Sequence, residues 1–125
     1  MGEILFIDDD TDALEMYSKA VSLADHQAYL AVDAREARRI ISKHNLDIIF
    51  VDINLPGTSG LQLLREFAEL EATRDVPVIL LSAVPEVDLD EEGLRGARLF
   101  LEKPVSLQRL LSVIGQYASA PQEPL

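Results

Sequence analysis

The chain has 125 residues, of which 48% are hydrophobic and 26% are charged, a length and composition typical of one globular domain and unlike those of a disordered chain. Its formal net charge is −11, with 22 acidic residues against 11 lysines and arginines, so nucleic-acid backbones and anionic membranes would repel it. The absence of cysteine excludes disulfides, thiolate metal sites and cysteine nucleophiles.

In the first half of the chain, short apolar runs rich in β-branched residues alternate with longer segments of helical period. A strand is predicted at residues 3–7, a helix at 11–24, a strand at 28–32, a helix at 34–44 and a strand at 47–51. Asp10 precedes the first helix and can cap its start, and Tyr17 belongs to the apolar face predicted for that helix. This alternation is typical of βαβ units around a parallel sheet.

The second half continues the alternation, with a helix at 59–70, a strand at 77–81, a strand at 98–102 and a helix at 106–117. The helix at 59–70 is predicted to bury Leu61, Leu64, Phe67 and Ala68. The last helix is predicted to bury Leu107, Leu110, Leu111 and Ile114. Between residues 84 and 96, proline and glycine interrupt an acidic run, so at most a short or irregular fourth helix is expected there.

The pattern predicts one domain over residues 1–119, followed at 120–125 by a tail or the start of a linker. The chain begins without a signal-peptide pattern, and its longest apolar stretch, near residues 76–84, is far shorter than the roughly 20 residues that span a bilayer. A cytoplasmic location without a membrane partner is therefore expected.

Polar residues follow four of the five predicted strands at their carboxyl ends. Asp8 and Asp9 follow the first strand, Asp52 the third, Ser82 the fourth and Lys103 the fifth. A doubly wound sheet brings these ends to one rim, so the side chains are expected to converge. Because carboxylates at such distances repel one another, the pocket must take up a proton or hold a cation.

These residues stand in motifs that resemble the receiver domain of two-component response regulators over essentially the whole chain. The motifs are Ile7-Asp8-Asp9-Asp10, Val51-Asp52-Ile53-Asn54-Leu55-Pro56-Gly57-Thr58-Ser59-Gly60, Leu81-Ser82-Ala83 and Glu102-Lys103-Pro104. Each motif alone is common, whereas four in this order at predicted strand ends are specific. The resemblance implies a flavodoxin-like α/β fold, with five parallel strands in the order 2-1-3-4-5 and helices on both faces.

The resemblance implies a Mg²⁺ site at the carboxylate rim. It assigns Asp9 and Asp52 as direct carboxylate ligands, Asp8 as a ligand through water, and the backbone carbonyl of Asn54 as a further ligand. Mg²⁺ prefers oxygen ligands in octahedral geometry and keeps several waters, which suits this set. Mg²⁺ is the one cofactor that the resemblance implies.

The resemblance also implies that Asp52 is a phosphoacceptor, which receives a phosphoryl group from a phosphohistidine on a histidine kinase or a histidine phosphotransfer protein. Lys103 and the Ser82 hydroxyl would neutralise the phosphoryl oxygens. Ser82 and Phe100 would form a switch, read out on the surface made by the fourth helix, the fifth strand and the last helix. The chain would then act as a signalling switch rather than an enzyme, with a phosphorylation-dependent homodimer or an effector domain as its output.

Pro104, Gly57 and Gly60 are expected to support this site. The Lys103-Pro104 step resembles one that often carries a cis peptide bond in the family. Gly57 and Gly60 lie in the loop after Asp52, where a positive φ or a close backbone approach is expected. The resemblance also places Val84, two residues beyond Ser82, at a position that influences hydrolysis of the acyl phosphate in the family. Because an apolar side chain cannot orient an attacking water, slow hydrolysis is expected.

Other interpretations stay open at the level of sequence. Acids before a helix can serve as caps without any metal, which accounts well for Asp10. A receiver-like fold can also act as an interaction module without phosphorylation. A haloacid-dehalogenase-like phosphohydrolase, with Asp8 as nucleophile, is a third hypothesis, although Asp12 departs from the pattern of that family.

Overall fold

Five parallel strands form the centre of the computed structural model, which describes residues 2–83 and 94–117 of the chain. The strands are β1 (Glu3–Ile7), β2 (Gln27–Ala31), β3 (Ile48–Asp52), β4 (Val78–Ser82) and β5 (Leu99–Glu102). Their order in the sheet is β2-β1-β3-β4-β5, and every neighbouring pair is parallel. The predicted fold class and strand order are confirmed.

Four helices connect or follow these strands in the described ranges: α1 (Thr11–Leu23), α2 (Ala34–Ile41), α3 (Gly60–Glu69) and a last helix (Leu107–Tyr117). Side-chain oxygens of Asp10, Asp33 and Ser59 accept hydrogen bonds from backbone N–H groups in the first turns of α1, α2 and α3. Such caps satisfy N–H groups that have no partner inside the helix. They fix where each helix starts relative to the strand before it.

The sheet separates two hydrophobic clusters, one on each face. In β1, Ile4 and Phe6 belong to one cluster and Leu5 and Ile7 to the other, because side chains alternate along a strand. α1 and the last helix cover the first face, and α2 and α3 cover the second. β1 and β3 are buried on both faces, which is why they are continuous apolar runs in the sequence.

The buried stripes of two helices differ from the prediction. In α3 the stripe consists of Gly60, Leu63, Leu64 and Phe67, and Ala68 is exposed. These positions are spaced by three and four from Gly60, where the helix packs closely against the end of β3. In the last helix the buried residues are Leu110, Val113 and Ile114, whereas Leu107 in the first turn is exposed. The predicted burial of Ala68 and Leu107 was therefore wrong.

Some predictions fall on positions that lie outside the described residues. These are the irregular fourth helix over most of 84–96, the role of Val84, and the tail at 120–125 with the domain boundary before it. All of them stay predictions. Within residues 2–83 and 94–117, the helices lack the length and apolar character needed to cross a bilayer.

Candidate functional site

The carboxyl ends of β1, β3, β4 and β5 meet at one rim of the sheet. Asp8 follows β1 directly, while Asp52 is the last residue of β3 and pairs in register with Leu81 of β4. The backbone N–H of Lys103, just after β5, donates to the carbonyl oxygen of Ser82 at 2.7 Å. The sheet thus brings residues from four separate stretches of sequence to one place.

Lys103 connects the two buried carboxylates of this rim. Its Nζ donates to Oδ2 of Asp52 at 2.6 Å and to Oδ2 of Asp8 at 2.8 Å. These partners lie 51 and 95 positions away along the chain. The structure therefore brings Lys103 together with both acids.

Asp8 is fully buried, with 0% of its side chain exposed. Its Oδ1 accepts from the backbone N–H of Asp10 at 3.0 Å, and its Oδ2 accepts from Lys103. Burial raises the pKa of Asp8, while the hydrogen bond from Lys103 opposes that rise. An acid with both oxygens engaged and no exposed surface is poorly placed to attack a substrate, which argues against Asp8 as the nucleophile of a phosphohydrolase.

Asp52, like Asp8, has both carboxylate oxygens in hydrogen bonds, but part of its side chain is exposed. Its Oδ1 accepts from the backbone N–H of Asn54 at 2.9 Å, and 8% of its side chain is exposed. The Asn54 contact is a local turn in which an aspartate accepts from the backbone two residues on. It fixes the carboxylate plane while one edge of the residue still faces the rim.

Asp9 differs from its two neighbours because it is exposed and, in the described ranges, makes neither a hydrogen bond nor an ion pair through its side chain. One carboxylate oxygen from each of Asp8, Asp9 and Asp52 lies within 4.8 Å of the others. Three carboxylates against the single ammonium of Lys103 leave two negative charges uncompensated when all are ionised. This hard-oxygen donor set and its excess charge fit a divalent cation such as Mg²⁺ or Ca²⁺.

The protonation of Lys103 follows from the same contacts. Burial by itself would lower the pKa of Lys103, but the hydrogen bonds to Asp52 and Asp8, with the attraction of both charges, outweigh it and raise the pKa above its ordinary value. The side chain stays a cation at every physiological pH. It is the fixed positive charge of the rim.

The backbone around Asp52 explains the glycines of its loop. The N–H of Gly60 donates to the carbonyl of Ile53 at 2.7 Å, and a Cβ at position 60 would collide with the carbonyl oxygen of Asp52 and lie 2.8 Å from its carbonyl carbon. Gly57 has a φ of +80°, which favours glycine. The predicted close approach and positive φ are both confirmed, as is the cis peptide bond between Lys103 and Pro104.

The predicted switch residues lie on one face of the sheet. Ser82 is buried at the end of β4, and Phe100 is half-buried in β5, where it pairs in register with Leu80. Leu80 and Ser82 are two residues apart, so their side chains point to the same face as that of Phe100. An open hollow of about 230 Å³ lies beside Phe100. The switch role itself stays a prediction.

Tyr17 is a residue near the rim to which the sequence pattern gave only a place on the apolar face of α1. Its ring stacks on Phe6 at 5.0 Å, and Phe6 stacks on Phe50 at 4.8 Å. Only 2% of Tyr17 is exposed, and within the described part of the chain its hydroxyl has no hydrogen-bond partner. The one signal in the sequence is a hydroxyl on an otherwise apolar helix face close to the acid run.

Comparisons with known sequences agree on one family. The sequence profile of the response regulator receiver domain matches residues 4–115. The phosphate regulon transcriptional regulatory protein PhoB of Pseudomonas aeruginosa is 36% identical over 110 residues, which cover 87% of this chain and 48% of that protein. The transcriptional regulatory protein MalR of Bacillus subtilis is 34% identical over 121 residues, which cover 94% of this chain and 50% of that protein. The chain thus spans about half the length of these relatives.

Solved structures of response regulators are also similar to this chain. The receiver domain of the Francisella response regulator 1452 has a TM-score of 0.83 and 27% identity, covering 93% of this chain and 95% of that one. A response regulator protein from Burkholderia pseudomallei has a TM-score of 0.80 and 20% identity, and the match covers 90% of this chain and 65% of that one. That protein carries a phosphorylated aspartic acid and a calcium ion. At 20% identity it is a match of fold alone.

Proposed function

This chain belongs to the response regulator receiver domain family of two-component systems, and from that membership we propose that Asp52 is its phosphoacceptor. The observation that carries the proposal is the contact between Asp52 and Lys103 at 2.6 Å, beside two further carboxylates. Of the three acids, Asp52 alone combines a fixed carboxylate, a direct cationic partner and a partly exposed edge. The domain then serves as a signalling switch rather than a catalyst.

Transfer of a phosphoryl group requires little of the protein beyond positioning of the reacting atoms and neutralisation of charge. An oxygen of Asp52 attacks the phosphorus, the bond from phosphorus to the donor breaks, and an acyl phosphate forms on the carboxylate. Lys103 already lies on Asp52 and can move its hydrogen bond onto a phosphoryl oxygen without leaving the rim. The hydroxyl of Ser82, at the end of the adjacent strand, can contact a second oxygen.

The proposed metal is Mg²⁺, held by Asp9 and Asp52 directly, by Asp8 through water and by the backbone carbonyl of Asn54. When bound, such a cation neutralises charge on the carboxylates and the phosphoryl group. The two uncompensated charges of the acid cluster support this assignment. Asp9, exposed at the mouth of the cluster, is the ligand that remains available while Lys103 engages the other two.

We propose that the change is read through Ser82 and Phe100. The two side chains share a sheet face, and the ring of Phe100 is only half-buried on it. When the Ser82 hydroxyl turns toward the phosphoryl group, it frees space behind it for the ring. The readout surface would then include β5 and the last helix.

The partners follow from the family and the half-length coverage of the relatives. A phosphohistidine on a histidine kinase or a histidine phosphotransfer protein is the proposed donor, in the cytoplasm. PhoB and MalR are transcriptional regulators about twice the length of the matched region. We therefore propose an effector domain, or a phosphorylation-dependent homodimer, as the output.

Phosphorylation by a small acyl phosphate tests the assignment directly. In the presence of Mg²⁺, the wild-type chain should gain the mass of one phosphoryl group, and Asp52→Asn should gain none. Asp25→Asn is the matched control, because Asp25 lies at the far end of α1 and asparagine tolerates its positive φ of 64°. An unmodified wild type, or an equal gain by Asp52→Asn, would overturn the proposal.

A further inference from the structure

A groove that is mostly apolar runs from the rim along α1. It has a volume of about 410 Å³ and is lined by Ala13, Met16, Tyr17, Lys103, Pro104 and Val105 among others. Lys103 belongs to both the groove and the site, since its Nζ holds Asp52. A ligand whose phosphoryl group lies on Asp52 can therefore extend into the groove past Lys103.

Besides the Lys103 ammonium and the Asp10 carboxylate, which caps α1, the polar group in the wall of this groove is the Tyr17 hydroxyl. The ring is fixed by its stack on Phe6 at 5.0 Å, so the hydroxyl has little freedom to turn elsewhere. Burial, followed by the negative charge of Asp8, raises the pKa of Tyr17 to about 12, so the group stays a neutral donor. Within the described ranges it has no acceptor.

A buried donor without an acceptor is costly, and folded proteins keep few of them. The Tyr17 hydroxyl is a neutral O–H donor at an apolar wall next to the Lys103 ammonium. A ligand that satisfies it must therefore offer an acceptor at that place. The ligand that fits combines a short hydrocarbon part, an oxygen acceptor and an anionic phosphoryl group. A small acyl phosphate has all three.

We propose that the groove binds the acyl group of small acyl phosphate donors, with the Tyr17 hydroxyl donating a hydrogen bond to the acyl oxygen. The hydrocarbon part lies against Met16 and Val105, and the phosphoryl group lies at Asp52 and Lys103. This inference rests on the proposed phosphorylation of Asp52. Tyr17 is then a residue that sets the preference between phosphate donors.

The step balances without any further reactant. A bond forms between an oxygen of Asp52 and phosphorus, and the bond from phosphorus to the acyl oxygen breaks. The electron pair of that bond stays on the departing carboxylate, and no proton moves. The hydrogen bond from Tyr17 strengthens as negative charge grows on the departing oxygen, so it stabilises the transition state more than the bound donor.

The test compares two donors on the intact chain with Mg²⁺. Acetyl phosphate releases acetate, a carboxylate that accepts hydrogen bonds, whereas the protonated nitrogen of phosphoramidate has no lone pair free to accept one. The measured quantity is the ratio of the two phosphorylation rates. In Tyr17→Phe, which keeps the ring stack and removes only the hydroxyl, this ratio should fall about tenfold, the effect of one hydrogen bond to a developing charge.

Tyr29→Phe is the matched control, because it removes a hydroxyl that donates to Glu3 at 2.7 Å on β2, away from the rim. Its donor ratio should equal that of the wild type. A wild-type ratio in Tyr17→Phe would overturn the inference while leaving Asp52 as phosphoacceptor. Failure of both donors to modify the wild type would instead overturn the proposed function.

A second variant keeps the test open if Tyr17→Phe does not fold. Met16 is 42% exposed, so Met16→Ala should be tolerated. Butyryl phosphate places more hydrocarbon against Met16 than acetyl phosphate does, and the lost contact should lower the butyryl rate about threefold relative to the acetyl rate. An unchanged chain-length preference would contradict acyl binding in the groove.

Discussion

Ion pairs of nearly the same length lie in opposite surroundings at two places in the described part of the chain. Lys103 lies 2.8 Å from Asp8 and 2.6 Å from Asp52, and the two carboxylate side chains are 0% and 8% exposed. Arg38 of α2 lies 2.8 Å from Glu66 of α3, with the side chains 52% and 33% exposed. The two Lys103 pairs cross the sheet rim, whereas the Arg38 pair links two helices at the surface.

The difference in burial reverses the effect on the acid. The hydrogen bond from Arg38 holds the pKa of Glu66 below its ordinary value, so this charge is favoured in the folded chain. Burial raises the pKa of Asp8 although Lys103 is bonded to it. The rim therefore holds charge that the fold alone does not fully compensate, which is what a site for a cation and a phosphoryl group requires.

Removing the central cation should have the largest effect on stability. Lys103→Met leaves two buried carboxylates without their ammonium and should lower the free energy of unfolding by about 3 kcal/mol in urea with a chelator present. The exposed counterpart, Arg38→Met, should cost only about 0.2–1 kcal/mol. Equal losses in the two variants would show that burial does not distinguish the pairs.

Two glycines give the next largest contrast. Gly60→Ala forces a methyl group into the backbone of Asp52 and should cost about 1–3 kcal/mol, as overpacking does. Gly115 lies in the last helix with open space around it, so Gly115→Ala should stabilise the chain by about 0.5–1 kcal/mol. Urea unfolding of both variants measures the difference, and a neutral Gly60→Ala would contradict the tight approach.

The strands and the meeting of Asp52 with Lys103 were predictable because they follow from local signals. Apolar β-branched runs fix the strands, and parallel strands carry their last residues to one rim. The bond from Lys103 to Asp8 was not predictable in the same way. It depends on which rotamer a long side chain adopts between two acids, and nothing within a few residues of Lys103 encodes that choice.

The helices show a similar limit. The period of α3 was evident, but its phase depends on how closely the helix start packs against β3, and this made Leu63 buried and Ala68 exposed. Tyr17 was placed correctly on the apolar face of α1, while the lack of a partner for its hydroxyl among residues 2–83 and 94–117 is a property of its surroundings. Propensity and period describe one element at a time, and these features arise between elements.

The smallest expected effects concern pH, and the two acids should respond in opposite directions. Because the pKa of Asp8 is raised on folding, its contribution to stability is fully present below its ordinary value of 3.8 and is lost as the pH rises through the folded value. Asp8→Asn should therefore stabilise the metal-free chain at pH 7, and this gain should vanish toward pH 4.

Glu66 should behave in the opposite way. Its pKa is lowered on folding, so its contribution is present above its ordinary value of 4.5 and is lost as the pH falls through the folded value. Glu66→Gln should cost about 0.2–1 kcal/mol at pH 7, less in high salt, and nothing once Glu66 is protonated in both states. The urea unfolding midpoints of Asp8→Asn and Glu66→Gln, measured at several pH values, test both expectations. The same pH dependence in the two variants would contradict the opposite responses predicted for these acids.

The central claim is that the excess charge of the rim exists to hold a divalent cation and leave Asp52 free to accept phosphate. A crystal structure of the chain with Mg²⁺ and a beryllium fluoride mimic of the phosphoryl group tests it most directly. The account predicts the mimic on Asp52, Mg²⁺ on Asp9, Asp52 and the Asn54 carbonyl, and Lys103 turned from Asp8 to the mimic. A mimic on Asp8 or Asp9, or a rim without metal at millimolar Mg²⁺, would contradict it.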